Sequence, residues 1–123
     1  MTSGVLVALA VLFAGMGVLG LAAPAVLVRP FGITLTGAAA RTEIRAVYGG
    51  FGVAIAVVLI LAVADPGGIR AGAATAVAAA LLGMAGGRLV ARAVDVPRGF
   101  YPIWFYFWVE VAGAAALLLA VWT

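Results

Sequence analysis

Five residue types are missing from this chain of 123 residues: cysteine, histidine, lysine, asparagine and glutamine. Without cysteine or histidine there is no thiol nucleophile, no disulfide, no Ser-His-Asp triad and no ordinary zinc or haem ligand set. Without lysine there is neither a Schiff base nor a phosphate-binding loop of the Walker type. The residues imply no metal and no cofactor. Charge is scarce as well, with seven arginines and four acidic residues, where a soluble domain keeps roughly 25% of its residues charged. The arginines are scattered rather than clustered into a basic patch, which argues against nucleic acid as a partner.

What fills the chain instead is apolar. Hydrophobic residues make up 67% of it and the mean hydropathy is +1.32. Such a chain has no surface that water can solvate, so the expected solvent is lipid. A membrane-crossing helix needs roughly 20 mostly apolar residues, and four segments supply them: 4–23, 42–64, 70–93 and 101–122. Pro24 ends the first, Asp65-Pro66-Gly67-Gly68 ends the second, and Asp95-Val96-Pro97-Arg98-Gly99 ends the third. Pro102 falls in the first turn of the fourth, where its missing N–H is harmless. The expected fold is all-α: a single polytopic membrane domain forming an antiparallel four-transmembrane-helix bundle.

Between the first two spans, Ala25 to Val28 with Arg29 and Phe31 reads as an interfacial stretch. The first span lacks a basic leader region, so it is expected to stay as a helix rather than be removed as a signal peptide. Arg29, Arg41, Arg45, Arg88, Arg92 and Arg98 gather toward one face of the bilayer, with only Arg70 toward the other. That asymmetry predicts a cell-membrane protein with its first and third connections cytoplasmic and both termini outside.

Small residues mark where helices meet in lipid. Gly15, Gly17 and Gly20 crowd the first span, Gly49, Gly50 and Gly52 the second, and Gly83 and Gly87 the third. Close packing is therefore expected at Gly49, Gly50, Gly83 and Gly87.

Ionisable residues inside a span are costly and demand a reason. Arg45 lies one turn into the second span, Arg88 five residues before the end of the third, and Glu110 eight residues after Pro102. At 1.5 Å of rise per residue, all three come within about 5–12 Å of the same interface. An arginine can snorkel to the headgroups; Glu110 is too short to do so. Arg45, Arg88 and Glu110, with Tyr48 and Glu43 nearby, form the candidate ligand or ion-pair cluster. If Glu43 faces the headgroups, the cluster keeps one surplus positive charge, which suits a carboxylate or phosphate. The fourth span opens with seven aromatics in nine residues, Phe100 to Trp108. Tyr106 and Phe107 share the face of Glu110, while Tyr101, Trp104, Phe105 and Trp108 point outward as an interfacial belt.

The stretch Arg45-Ala46-Val47-Tyr48-Gly49-Gly50 resembles a bacterial family of small four-helix integral membrane proteins, domain of unknown function 4345. The likeness continues through Gly86-Gly87-Arg88-Leu89-Val90 and Asp95 to Glu110. It implies a four-span bundle and marks Arg45, Gly49, Gly50, Arg88, Asp95 and Glu110 as family-like positions. It implies no activity. Val96 stands where that pattern has a glycine.

Three functions fit these residues. The first is a non-enzymatic bundle that binds membrane lipid, a hydrophobic or anionic small molecule, a second copy of itself or a membrane-complex partner. The second is a membrane-embedded acid catalyst, of the terpenoid or epoxide cyclase or isomerase type. There Glu110 would donate a proton, and Tyr106 and Phe107 would stabilise a cation. The third is a small proton-coupled transporter cycling a proton on Glu110.

Overall fold

A computed structural model describes residues 1–123. Five helices account for its regular structure: α1 (Thr2–Ala22), α2 (Pro24–Val28), α3 (Ala38–Ala64), α4 (Arg70–Val94) and α5 (Ile103–Trp122). Four of them, all but α2, are long and apolar enough to cross a membrane. The short α2 and the 3-10 turn Arg29–Phe31 that follows it occupy the stretch expected at the interface. Helix α3 begins four residues ahead of the predicted 42, because Ala38, Ala39 and Ala40 are strong helix formers placed directly after Gly37. Helix α5 begins at Ile103, with Pro102 one step outside it as the N-cap.

The long helices run antiparallel, and each neighbours two others around a closed ring of α1, α3, α4 and α5. The association is uneven. Helices α1 and α3 form one closely packed pair, α4 and α5 a second, and the pairs meet each other less extensively. Glycine explains the first pair. A Cβ built on Gly52 would lie 2.8 Å from Gly17 Cα, and one on Gly20 would lie 2.8 Å from the Gly49 nitrogen. The two backbones touch, and nothing larger than hydrogen fits between them.

Within α3, residues Arg45–Gly50 form a π-helical turn. Two adjacent glycines, weak helix formers, ease the widening, and such turns re-aim the residues they contain. Here Gly49 faces α1 and is buried, and Arg45 Nε donates to the Leu21 carbonyl at 3.1 Å. At the opposite end Arg70 does the same for α3, donating from Nε to Ala62 O (3.0 Å) and from Nη2 to Val63 O (2.8 Å). Asp65 holds the left-handed conformation that ends α3, and its carboxylate accepts the Arg70 N–H. Both arginines thus satisfy carbonyls that a helix C-terminus leaves without partners, at the negative end of its dipole.

The core occupies only half of the bundle. Leu6, Leu59 and Leu117 are fully buried there among small residues such as Ala62, Ala74 and Ala114. Thr2 donating to the Ala120 carbonyl and Trp122 donating to Thr75 tie the helices together at that end. Toward the arginine-rich end the two helix pairs part.

Of the four glycines expected to pack closely, only Gly49 does. The outward faces of Gly83 and Gly87 have no atom within 4 Å, and Gly50 meets only the Arg45 carbonyl at 3.8 Å. These glycines point away from the bundle; spacing of four along α4 set them on one face, but that face is outside. The tight contact belongs to Gly17, Gly20, Gly49 and Gly52. Gly52→Val is therefore expected to cost about 1–3 kcal/mol or more by overpacking, while Gly83→Val stays within about 0.5 kcal/mol of the parent. Unfolding in detergent measures both.

Candidate functional site

Glu110 is buried, with 4% of its surface exposed, and sits on α5 seven residues after Ile103. Arg88 sits on α4 six residues before Val94. Since α4 and α5 are antiparallel, both side chains lie roughly 9–11 Å below the ends of their helices and meet. Arg88 Nε donates to Glu110 Oε1 and Nη2 to Oε2, each at 2.8 Å. This is the two-pronged geometry in which a planar guanidinium matches a carboxylate. The Tyr106 ring, one turn before Glu110, lies 5.9 Å from the guanidinium carbon and adds a cation–π contact.

The fork uses one edge of the guanidinium. Nη1 makes no hydrogen bond within the protein, and no buried side-chain nitrogen is left unpaired, so this edge is accessible. Arg88 borders a groove of about 340 Å³ between α1 and α5, whose charged lining residues are Arg88 and Glu110 alone. The rest of the wall is apolar, with Leu12 and Met16 from α1 and Leu27 and Phe31 from the α2 region. Phe31 and Tyr106 stand side by side, ring centroids 5.6 Å apart and planes tilted by 33°.

A second groove, about 570 Å³, opens between α3 and α4 and is lined by hydrophobic residues throughout. Phe13, Met16, Leu81 and Met84 line both grooves. The two are halves of one fissure between the helix pairs, partitioned by four side chains. Its floor is the core, where Leu9 and Leu81 close over Gly113.

The other cluster members expected from sequence are placed elsewhere. Arg45 is exposed, with its Nε on the end of α1. Glu43 is exposed and makes no side-chain hydrogen bond or ion pair. Tyr48 lines the α3–α4 groove. Phe107 contacts Trp104 and Trp108 edge to face rather than lining the groove beside Glu110. Of the four aromatics expected to point outward, Tyr101, Phe105 and Trp108 are exposed, whereas Trp104 is half-buried against Phe107. Met16 and Met84 went unnoticed in the sequence, and Leu27 and Phe31 were expected only at the interface, because apolar residues in an apolar chain carry no contrast.

Breaking a buried pair strands a charge, whereas removing both charges does not. Arg88→Leu and Glu110→Leu are each expected to cost about 3–5 kcal/mol, and the double variant to recover most of that loss. A double-mutant cycle measured by unfolding in detergent checks this; additive losses would mean that the two side chains act independently.

A family model described as a domain of unknown function (DUF4345) matches residues 1–121. Comparison with curated proteins and with solved structures finds no match.

Proposed function

The chain belongs to the DUF4345 family, whose description assigns no activity, and from its groove we propose that it is a non-enzymatic, lipid-binding membrane protein. In this reading an amphiphilic molecule enters sideways from the bilayer between α1 and α5. Its tail lies along Leu12 and Met16, and its polar end reaches Arg88. One observation carries the reading: an otherwise apolar, laterally open groove has a forked ion pair in its wall with a guanidinium edge to spare. The volume falls within the roughly 300–1,000 Å³ of ordinary small-molecule sites.

The same geometry weighs against acid catalysis. Both Glu110 oxygens accept hydrogen bonds from Arg88. A proton placed on either would face an N–H donor, leaving the fork half broken. Proton cycling on Glu110 would break the fork at each turn. The arginine-rich end is read as cytoplasmic, from the placement of Arg29, Arg41, Arg45, Arg88, Arg92 and Arg98 there.

Gly15 lines the α1–α5 groove, and its outward face has no atom within 4 Å. Gly15→Trp is therefore expected to fill the groove without disturbing helix contacts. Mass spectrometry of the purified chain in nanodiscs should show a retained amphiphile whose occupancy falls at least tenfold in the variant; equal occupancy in both would sink the reading. Sidedness is separable, since the chain has no native cysteine. An impermeant maleimide added to intact cells is expected to label Gly68→Cys and to spare Arg98→Cys.

A further inference from the structure

Four observations restrict what the α1–α5 groove accepts, given that it binds an amphiphile at all, as proposed above. The first is charge. Arg88 and Glu110 neutralise each other in the fork, and no other charged residue lines the groove. Arg45, which would have supplied the surplus positive charge, is placed on the Leu21 carbonyl. An anionic headgroup would meet a neutral pair and lie beside the Glu110 carboxylate.

The second is depth. Arg88 is six residues inside the end of α4, about 9 Å at the rise of a helix, so a head that reaches it leaves the headgroup layer and must shed its hydration. Charged heads do this poorly; a carbonyl does it readily.

The third is the donor. The free Nη1 edge offers N–H groups and no acceptor, so it selects an oxygen with lone pairs. The fourth is shape. Phe31 and Tyr106 form an aromatic wall beside Arg88, and the α1 side of the groove is apolar from Leu19, toward the interface, to Leu9, toward the core. Past Glu110 the first groove runs only about 5 Å, since Leu9 already closes over Gly113 three residues further along α5. Beyond the Met16 and Met84 partition lies the larger, wholly apolar groove, with room for a chain that outruns the first.

We infer that the groove binds an uncharged, planar, carbonyl-headed molecule on a long apolar chain, a quinone in chemical class. One carbonyl oxygen accepts from Arg88 Nη1, the ring lies against Phe31 and Tyr106, and the chain runs toward the core. Glu110 acts as a positioning residue that holds the guanidinium plane and cancels its charge.

The test uses the full chain in nanodiscs, with empty nanodiscs as background and three radiolabelled probes: a decyl-substituted benzoquinone, palmitate and phosphatidylglycerol. Saturable binding of the quinone is expected, with at least tenfold displacement by unlabelled quinone. Excess palmitate or phosphatidylglycerol should change it by less than twofold. Arg88→Lys should weaken quinone binding at least tenfold, because the fork and its free edge are lost together. Phe31→Ala, outside the four spans, should weaken it at least threefold in a chain that keeps the ion pair. Saturable binding of palmitate or phosphatidylglycerol that displaces the quinone would overturn the inference while leaving the amphiphile-binding reading intact. Saturable binding of none of the three would overturn both.

Discussion

Away from water every polar group has to find its partner inside the protein, and this constraint distributes the arginines of the bundle. Arg45 is joined to the open carbonyl end of α1, Arg70 to that of α3, and Arg88 to the carboxylate of Glu110. No buried side-chain nitrogen or oxygen is left without a partner. In lipid an unsatisfied group has no fallback. The same residue type therefore plays two structural roles, capping helix ends and pairing with a carboxylate, and its spare donors become visible only where a partner is small. Glu110 occupies two N–H groups of Arg88 and leaves Nη1 over.

The second constraint is steric. Helices in a bilayer gain nothing by hiding apolar side chains from lipid, so they associate where close contact is available. Gly17, Gly20, Gly49 and Gly52 provide it for α1 and α3, whose backbones touch. Helices α4 and α5 are joined instead across larger groups, the ion pair at one end and Trp122 on Thr75 at the other. The two pairs share a leucine and alanine core only in the half toward Thr2 and Trp122. Beyond it they part, and the fissure between them opens to the bilayer on two sides. The groove that carries the proposed function is thus a consequence of how the core is distributed.

Much of the fold is legible without coordinates. Four apolar runs of span length, ended by proline and glycine, dictate four long helices, and short connections dictate that they alternate in direction. The depth of Arg88 and of Glu110 follows from counting residues at 1.5 Å each. A carboxylate that cannot reach water already asks for a cation at the same level. Helix starts are less legible: the alanines at 38–40 extend α3 outward, and Pro102 precedes α5 rather than entering it. Terminal turns are decided by a few local hydrogen bonds that composition does not resolve.

Which cation Glu110 takes, and which glycines touch, are matters of rotation about each helix axis. Sequence supplied two arginines at suitable depth; the π turn at Arg45–Gly50 and the path of α1 aim one of them at Leu21 and leave Arg88 for the carboxylate. Gly83 and Gly87 obey the same four-residue spacing as packed positions, yet face outward. The residues by themselves determined the solvent, the number of spans and the depth at which Arg88 and Glu110 lie, because these depend on hydrophobicity and length. Only the tertiary structure decided the pairing, the packed glycines and the fissure, because these depend on how one helix is turned toward the next, and an apolar chain in lipid carries little patterning to say so.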